Sequence, residues 1–331
     1  MNFTEAVLIV GKVNDVNAFQ LITGVTILAL SAVGLVGNAL SFAVFSQAQM
    51  RSPINILLAG LSLIDAALLT LAVPCIALPS LLHSGVLANV RSLESRLYEV
   101  ATGWLYPLMM MTQTASIWTF LLIFIERYMA VCRPFKTSRW ATKRKAVCSM
   151  VLVVCAAVAY NSVRFFEYHS PSANSTHPDQ RRIVPGLRIY PAYVTYYITV
   201  LYLITHFLVP FSILLLFNIA ILRELRFDRL LRVSFKRRPS LQRPEGIRIC
   251  RTYKRNSTTI MIVLVTAIFA LCNVLPFVLN IWEALDADFM QNIVAKGMYH
   301  LSNLLVVFNS ASTAFIYFSF CKRYRSILRL D

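Results

Sequence analysis

Long apolar stretches without Asp, Glu, Lys or Arg recur along the chain and are separated by short polar segments. A helix needs roughly 20 apolar residues to cross the hydrocarbon core of a bilayer. Seven stretches reach or approach this length, and one of them contains a charged residue, Asp65. They occupy residues 16–50, 54–82, 100–125, 146–163, 189–222, 256–282 and 297–321. Seven such stretches in one chain predict an all-α membrane protein built as a seven-transmembrane helix bundle.

The ends of the apolar stretches divide the chain, residues 1–331, into helices and connecting segments of a single domain. We predict a tail outside the membrane at 1–18 and a short amphipathic helix on the membrane surface at 320–330. In that last segment, Phe320, Tyr324, Ile327 and Leu328 share one face and basic residues occupy much of the rest. The seven spanning helices are expected at about 19–46, 54–82, 98–130, 142–166, 191–225, 252–284 and 290–318.

Composition supports a membrane protein, and the distribution of charge gives its orientation. Hydrophobic residues make up 57% of the chain and charged residues only 14%, against about 25% charged in soluble domains. The net charge is +17, and the basic residues that produce it lie mainly between the apolar stretches. This placement favours contact with membrane lipid and argues against nucleic acid as the partner. With the N-terminus outside, 24 of the 32 Lys and Arg residues become cytoplasmic. The positive-inside rule therefore predicts a multi-pass plasma-membrane protein with an extracellular N-terminus and a cytoplasmic C-terminus.

Glycosylation sequons agree in part with this orientation. Those at Asn2 and Asn174 would lie outside the cell and are candidate glycosylation sites, whereas the sequon at Asn256 would face the cytoplasm. None of the seven cysteines forms a CxxC pair, so a zinc or redox site is not predicted.

Asp65 is the one acid deep inside a predicted span, where a charge is costly and signals a function. Asn38, Ser116 and Asn309 lie at similar depth and offer amide and hydroxyl oxygens. These side chains together would hold a sodium ion. A hydrogen-bonded structural Asp65 explains the same pattern, and the sequence leaves both interpretations open. No other metal or cofactor is predicted.

Short motifs follow one another at the predicted helix ends. At the inner end of the third helix, Glu126 and Arg127 precede Tyr128, and a broken Glu126–Arg127 pair would turn the arginine toward a cytoplasmic partner. In order and spacing, nearly the whole chain resembles the rhodopsin-like receptor superfamily. The residues that carry this resemblance are Gly37-Asn38, Leu61 to Asp65, Glu126 to Tyr128, Ala130 to Pro134, Pro210, Pro276, Tyr317 and Phe320.

Within that superfamily the chain is similar to invertebrate FMRFamide-type neuropeptide receptors. The strongest segment is Asn161 to Tyr168, which reads NSVRFFEY at the predicted end of the fourth helix. Further similar segments are Gln49 to Asn55, Tyr106-Pro107, Gln113 to Ser116, Cys272-Asn273, Leu275 to Phe277 and Asn280 to Glu283.

The chain also departs from the superfamily pattern. Thr102 replaces the cysteine that usually anchors a disulfide, and the second outer loop contains no Cys, so other contacts must hold that loop. Val274 replaces a tryptophan, Thr313-Ala314 replaces an Asn-Pro pair, and Asn256 stands where an acid often pairs with Arg127. These changes put the efficiency of switching in question while the fold is expected to persist.

The resemblance implies a G-protein-coupled receptor that an extracellular FMRFamide-like neuropeptide activates, and not an enzyme. An agonist would shift the helix bundle between two states and expose Arg127 to a heterotrimeric G protein. The residues implied in switching and G-protein coupling are Glu126, Arg127, Tyr128, Pro276 and Tyr317.

A peptide that ends in Arg-Phe-amide requires an acid for its guanidinium and an apolar site for its ring. Glu283 is the first candidate acid and Glu99 the second, while Met109, Met110, Gln113 and Trp282 are candidates for the rest of the pocket. Met109 and Val307 stand where amine receptors carry Asp and opsins carry Lys, which weakens both of those ligand classes.

Three alternatives remain beside the peptide receptor. An orphan chemosensory receptor for a small molecule would share the fold and most of the motifs. A transporter or channel would carry inverted repeats and several intramembrane charges, which this sequence lacks. An enzyme would need paired carboxylates or a nucleophile–base pair, and neither is evident.

Overall fold

A computed structural model of the chain describes residues 3–50, 52–84, 97–133, 142–169, 184–236, 245–286, 293–320 and 322–328. Seven of the described helices are long and apolar enough to cross a membrane, which confirms the predicted seven-helix bundle. They are α1 (Phe3–Ser46), α2 (Pro53–His83), α3 (Leu97–Cys132), α4 (Lys143–Phe166), α5 (193–236), α6 (Glu245–Leu285) and α7 (Ile293–Phe320). A short helix α8 (Lys322–Leu328) follows, and strands β1 (Tyr168–His169) and β2 (Val184–Pro185) pair antiparallel between α4 and α5.

Side-chain caps and prolines shape the helices. Ser52 and Thr142 cap α2 and α4 by accepting hydrogen bonds from backbone N–H groups three residues later. Wider π-helical turns occur at Val73–Ala77 in α2 and at Leu203–Leu208 in α5. The first contains Pro74 and the second ends just before Pro210, and proline removes the N–H that an α-helical turn needs.

Helices extend beyond two of the predicted spans. Residues 3–18, which are predicted as an extracellular tail, continue α1 as helix, while the apolar span at Asn17–Ser46 agrees with the predicted one. The basic segment between the fifth and sixth helices is also mostly helical, because α5 continues to Lys236 and α6 begins at Glu245. The remaining helix ends lie within a few residues of the predicted positions.

The largest buried cluster among the described residues lies toward the end of the bundle that carries α8. Phe120 stacks on Phe269, and Phe45 packs edge-on against Tyr317 in one buried cluster. Large apolar side chains on the outer surfaces of α4, α5 and α6 are instead exposed, as at Leu152. Lipid tails solvate such side chains, so their exposure is what a membrane helix bundle requires.

Helix α8 packs its apolar face against this core, as the sequence pattern predicts. Tyr324 and Ile327 are buried, and the Tyr324 hydroxyl forms a 3.1 Å hydrogen bond with Ser41 of α1. The described helix is shorter than predicted, because residues up to Phe320 belong to α7.

Close helix contact at Gly34 gives a first testable expectation. A Cβ at Gly34 would lie 2.8 Å from the Ala311 Cβ and 3.0 Å from its backbone Cα on α7. Gly34→Ala should therefore destabilise the protein by about 1–3 kcal/mol, measured as a lower melting temperature in detergent. Gly60→Ala is the control, since its Cβ meets the flexible end of Met150, which can move aside. Equal losses in the two variants would contradict this explanation.

Candidate functional site

A cavity of about 430 Å³ lies in the bundle at the end that carries β1 and β2, which we call the outer end. Its apolar lining includes Met109 and Met110 of α3 and Val307 of α7. Gln113, Tyr202 and Asn280 add polar groups, and charged residues from α4, α6, α7 and the α4–α5 segment complete the wall. The volume and mixed lining are typical of a ligand site that receives a small molecule or a few side chains of a peptide.

A network of charged side chains joins the wall of this cavity to α4 and α5. Arg164 is 3% exposed and donates to Glu167 Oε1 at 3.0 Å, while Glu167 is fully buried. Tyr193 of α5 donates its hydroxyl hydrogen to the same oxygen at 2.8 Å. Arg188 lies 4.0 Å from Glu167 Oε2 and 3.5 Å from Glu283 Oε1 of α6. These contacts hold the α4–α5 segment, where the superfamily disulfide is missing from the sequence.

The charged form of Arg188 is favoured in this position. Burial alone would lower the pKa of its guanidinium, but Tyr168, Tyr106, Glu283 and Glu167 oppose that effect and raise the pKa above its ordinary value. Arg188 therefore stays cationic at physiological pH. It donates to the Tyr168 hydroxyl oxygen at 2.7 Å.

Hydrogen bonds extend from Arg164 into the middle of the bundle. Arg164 Nε donates to Asn161 Oδ1 at 3.1 Å, and Asn161 Nδ2 donates to Thr114 Oγ1 at 2.9 Å. Thr114 is also 2.9 Å from His206 Nε2, and His206 Nδ1 is 2.9 Å from Thr205 Oγ1. Thr114 also donates its hydroxyl hydrogen to the Met110 carbonyl of its own helix. The outer cavity and the core are thus linked through α3, α4 and α5.

The structure brings four of the six predicted ligand residues to the cavity wall: Glu283, Met109, Met110 and Gln113. Trp282 and Glu99 are not among the lining residues. Trp282 packs against Leu279 and Ala295 and donates to Asp286 at 3.2 Å. Their chain neighbours Glu283 and Tyr98 face the cavity instead.

Sequence reasoning missed the charged pair at the heart of the network. The stretch from Asn161 to Tyr168 carries a family resemblance as a whole, and the resemblance does not identify Arg164 and Glu167 as partners. Their spacing of three residues is the signal that would have found them, since residues i and i+3 meet on a helix. Arg188 offers no comparable signal, because its partners come from α4 and α6.

Asp65 lies in a second polar cluster toward the middle of the bundle. Its Oδ1 accepts hydrogen bonds from Ser116 at 2.7 Å and from Ser310 at 3.1 Å. Asn38 is buried and donates to the Ser310 carbonyl at 3.1 Å rather than to Asp65. A cavity of about 20 Å³ lies beside Asp65 and is lined by Asn309, Ser312 and Thr313 among others. The polar part of this lining offers carboxylate, hydroxyl and amide oxygens, which suit a small hard cation, and apolar side chains such as Phe269 complete the wall.

The residues implied in switching lie toward the other end of the bundle or inside α6. Glu126 and Arg127 are half-buried in the last two turns of α3, and Tyr128 stacks on Phe217 of α5 at 4.6 Å between ring centroids. Tyr317 is buried beneath α8, as part of the inner core cluster. Pro276 lies inside α6, where a proline permits the helix to bend, and it also lines the outer cavity.

The two predicted glycosylation sites, Asn2 and Asn174, lie outside the described residues.

Comparison with known proteins places this geometry in a family. The family model described as 7 transmembrane receptor (rhodopsin family) matches residues 37–317. An FMRFamide peptide receptor of Caenorhabditis elegans (frpr-18) is 38% identical over 315 residues, which cover 93% of this chain and 68% of that protein. An FMRFamide receptor of Drosophila melanogaster is 30% identical over 311 residues, covering 93% of this chain and 53% of that protein.

The chain thus spans about two thirds of the first relative and about half of the second. The family match begins near the end of α1 and includes both polar clusters and the motif at the end of α3. The chain is a multi-pass membrane protein and belongs to the rhodopsin family of G-protein-coupled receptors, FMRFamide type, rather than to any class of enzyme.

Proposed function

We propose that the receptor binds an extracellular FMRFamide-like neuropeptide in the outer cavity. The observation that carries the proposal is the position of Glu283, which lines the cavity together with the apolar side chains of Met109 and Met110. A carboxylate binds a guanidinium through charge-assisted hydrogen bonds, and an apolar floor accepts an aromatic ring. The names of the two FMRFamide receptors that resemble the chain support the same ligand class.

We propose further that ligand binding is transmitted to a heterotrimeric G protein on the cytoplasmic side of the plasma membrane. The N-terminus would then be extracellular and the C-terminus cytoplasmic. Pro276 contacts the cavity and interrupts the hydrogen bonding of α6, so the helix can bend there. Glu126, Arg127 and Tyr128 would engage the G protein, and Tyr317 belongs to the buried core cluster beneath α8. Membrane lipid surrounds the apolar outer surface.

The test is a calcium response in cells that co-express the receptor and a promiscuous G protein. We expect a saturable response to at least one amidated peptide ending in Arg-Phe-amide. Arg127→Ala should abolish the response while surface expression and peptide binding persist, since Arg127 is remote from the outer cavity. Silence toward every peptide, with the receptor shown at the cell surface, would contradict the proposal and favour a small-molecule chemosensory receptor.

Replacing the proposed ligand acid should weaken the response. Glu283→Gln is expected to raise the half-maximal concentration of an Arg-Phe-amide peptide about 10- to 100-fold, since it removes a charge-assisted hydrogen bond. Asp286→Asn is the matched control, because Asp286 lies one turn further along and does not line the cavity. An unchanged dose–response curve for Glu283→Gln would remove Glu283 from the site.

We also propose a sodium ion near Asp65, held by that carboxylate with Ser116, Ser310 and the neighbouring Asn309. Sodium at ten times its Kd would stabilise the receptor by about 1.4 kcal/mol. The melting temperature of the wild type should therefore be higher in sodium chloride than in choline chloride of equal ionic strength. Asp65→Asn should remove this difference, and Asp286→Asn should retain it. A sodium effect that survives Asp65→Asn would place the ion elsewhere.

A further inference from the structure

Arg188 lies between two carboxylates and is well hydrogen-bonded to neither. Its Nη2 is 3.5 Å from Glu283 Oε1, at the limit of a hydrogen bond, and its Nε is 4.0 Å from Glu167 Oε2. The short bond of this guanidinium, at 2.7 Å, goes to the Tyr168 hydroxyl oxygen. The Arg188 side chain is 22% exposed and lines the outer cavity, so it can move without unpacking a helix.

Glu167 offers Arg188 a second, unused acceptor. Its Oε1 accepts from Arg164 and Tyr193, but its Oε2 has no hydrogen-bond partner among the described residues. The Glu167 side chain is fully buried, and an unsatisfied buried carboxylate oxygen is costly. Shortening the Arg188 Nε–Glu167 Oε2 distance from 4.0 Å to about 2.9 Å would satisfy it and requires a movement of only about 1 Å.

We propose that Arg188 is a resident cation that occupies Glu283 in the ligand-free cavity and transfers to Glu167 when a guanidinium ligand binds. This proposal rests on the proposed function, in which Glu283 receives an arginine side chain. The exchange keeps each carboxylate paired throughout, because the incoming guanidinium neutralises Glu283 as Arg188 leaves it. The cavity would therefore select a cationic ligand, since a neutral side chain that displaced Arg188 would leave the Glu283 carboxylate without a cation.

The exchange would also carry the signal of binding away from the cavity. Glu167 is bonded to Arg164 at the end of α4 and to Tyr193 of α5, so a tightened Arg188–Glu167 bond acts on both helices. Lys296 of α7 also lines the cavity. It provides a comparison, because no ion pair with Glu283 or Glu167 is described for it.

The test measures binding of N-acetylarginine amide to the purified full-length receptor by ligand-observed NMR, with N-acetylcitrulline amide as the neutral match. Arg188→Gln should strengthen binding of the arginine probe about tenfold, since it removes the competitor for Glu283, and should leave the citrulline probe unchanged. Lys296→Gln should change the arginine affinity by less than about threefold.

Two further variants test each half of the exchange. In Glu283→Gln the arginine probe should bind about tenfold more weakly, and adding Arg188→Gln should bring no gain. Glu167→Gln should also weaken the probe about threefold or more, although Glu167 does not contact it, because displaced Arg188 then loses its second carboxylate. If Glu167→Gln does not fold, the cycle of Arg188 and Glu283 variants decides alone.

Contrary outcomes are equally specific. A gain in Arg188→Gln no larger than in Lys296→Gln, or one that persists with Glu283→Gln, would overturn the proposal. So would an unchanged affinity in folded Glu167→Gln. The peptide assay is independent of these binding measurements. If the variants bind the probe as expected but no Arg-Phe-amide peptide activates the receptor, the peptide ligand is rejected and the exchange is retained. If a peptide activates the receptor but the variants do not show the expected affinities, the exchange is rejected and the peptide ligand is retained.

Discussion

Arg164→Met should lower the free energy of unfolding by about 3–5 kcal/mol, the largest loss we expect from a single substitution in this receptor. Arg164 is 3% exposed and pairs with Glu167, which is fully buried. Removing the guanidinium leaves a carboxylate in the bundle with Arg188, at 4.0 Å, as its nearest remaining cation. It also strips Asn161 Oδ1 of the hydrogen bond that it accepts from Arg164.

The measurement is the melting temperature of the detergent-solubilised receptor, followed by loss of the monodisperse peak in size-exclusion chromatography. A loss on the order of 10 °C is expected. Arg144→Met is the matched control, since it makes the same chemical change at an exposed position of α4 and should cost less than about 0.5 kcal/mol.

A second substitution separates the charge from the packing. Adding Glu167→Gln to Arg164→Met should recover part of the loss, because no carboxylate then remains buried beside a missing cation. If the free energies of unfolding of Arg164→Met and Arg144→Met differ by less than about 1 kcal/mol, the Arg164–Glu167 pair contributes little and another contact must hold the α4–α5 segment.

The sequence predicts the bundle well because the lipid imposes a simple rule on each helix. A spanning helix must be apolar and about 20 residues long, so composition alone reveals it. The extended α1 and the long inner ends of α5 and α6 escape this rule, since they lie beyond the apolar stretches and depend on helix propensity. Residues 224–236 contain no proline, and Pro239 and Pro244 then separate the two helices.

The candidate site is predicted only in part because a cavity wall depends on how each helix is rotated. In α6, Pro276, Leu279, Asn280 and Glu283 line the cavity at helical spacing, and Trp282 between them faces α7. A rotation cannot be read from one sequence when lipid and cavity both accept apolar side chains.

The charged network is harder still to predict. Glu167 accepts a hydrogen bond from Tyr193, which lies in a π-helical stretch of α5. Arg188 approaches Glu167 from the segment after β2. Neither the wide turns of α5 nor the path of that segment has a local sequence signature beyond its prolines. Asp65, by contrast, was found at once, because an acid inside a span is costly wherever the helix faces.

Asn161→Leu should destabilise the receptor by about 2–4 kcal/mol, because it leaves the buried Arg164 Nε without its acceptor and removes one of the hydrogen bonds of Thr114. Asn161 is 1% exposed, and its amide oxygen accepts from the charged Nε of Arg164 while its amide nitrogen donates to Thr114. Leucine has a similar volume, so the expected loss reflects the broken hydrogen bonds rather than a cavity.

Ser162→Ala serves as the control for this change, since the neighbouring Ser162 is exposed and donates to the Ala159 carbonyl of its own helix turn. We expect the free energy of unfolding of Ser162→Ala to lie within about 0.5 kcal/mol of the wild-type value. The comparison also shows whether Arg164 is held by its charge partner or by its hydrogen bonds. If Asn161→Leu melts like Ser162→Ala, then Glu167 alone positions Arg164, and the chain of hydrogen bonds that continues through Thr114 to His206 does not couple the outer cavity to the core. A loss close to that of Arg164→Met would mean the opposite: the ion pair depends on Asn161 for its geometry, and the two residues act as one unit in joining α4 to α3 and α5.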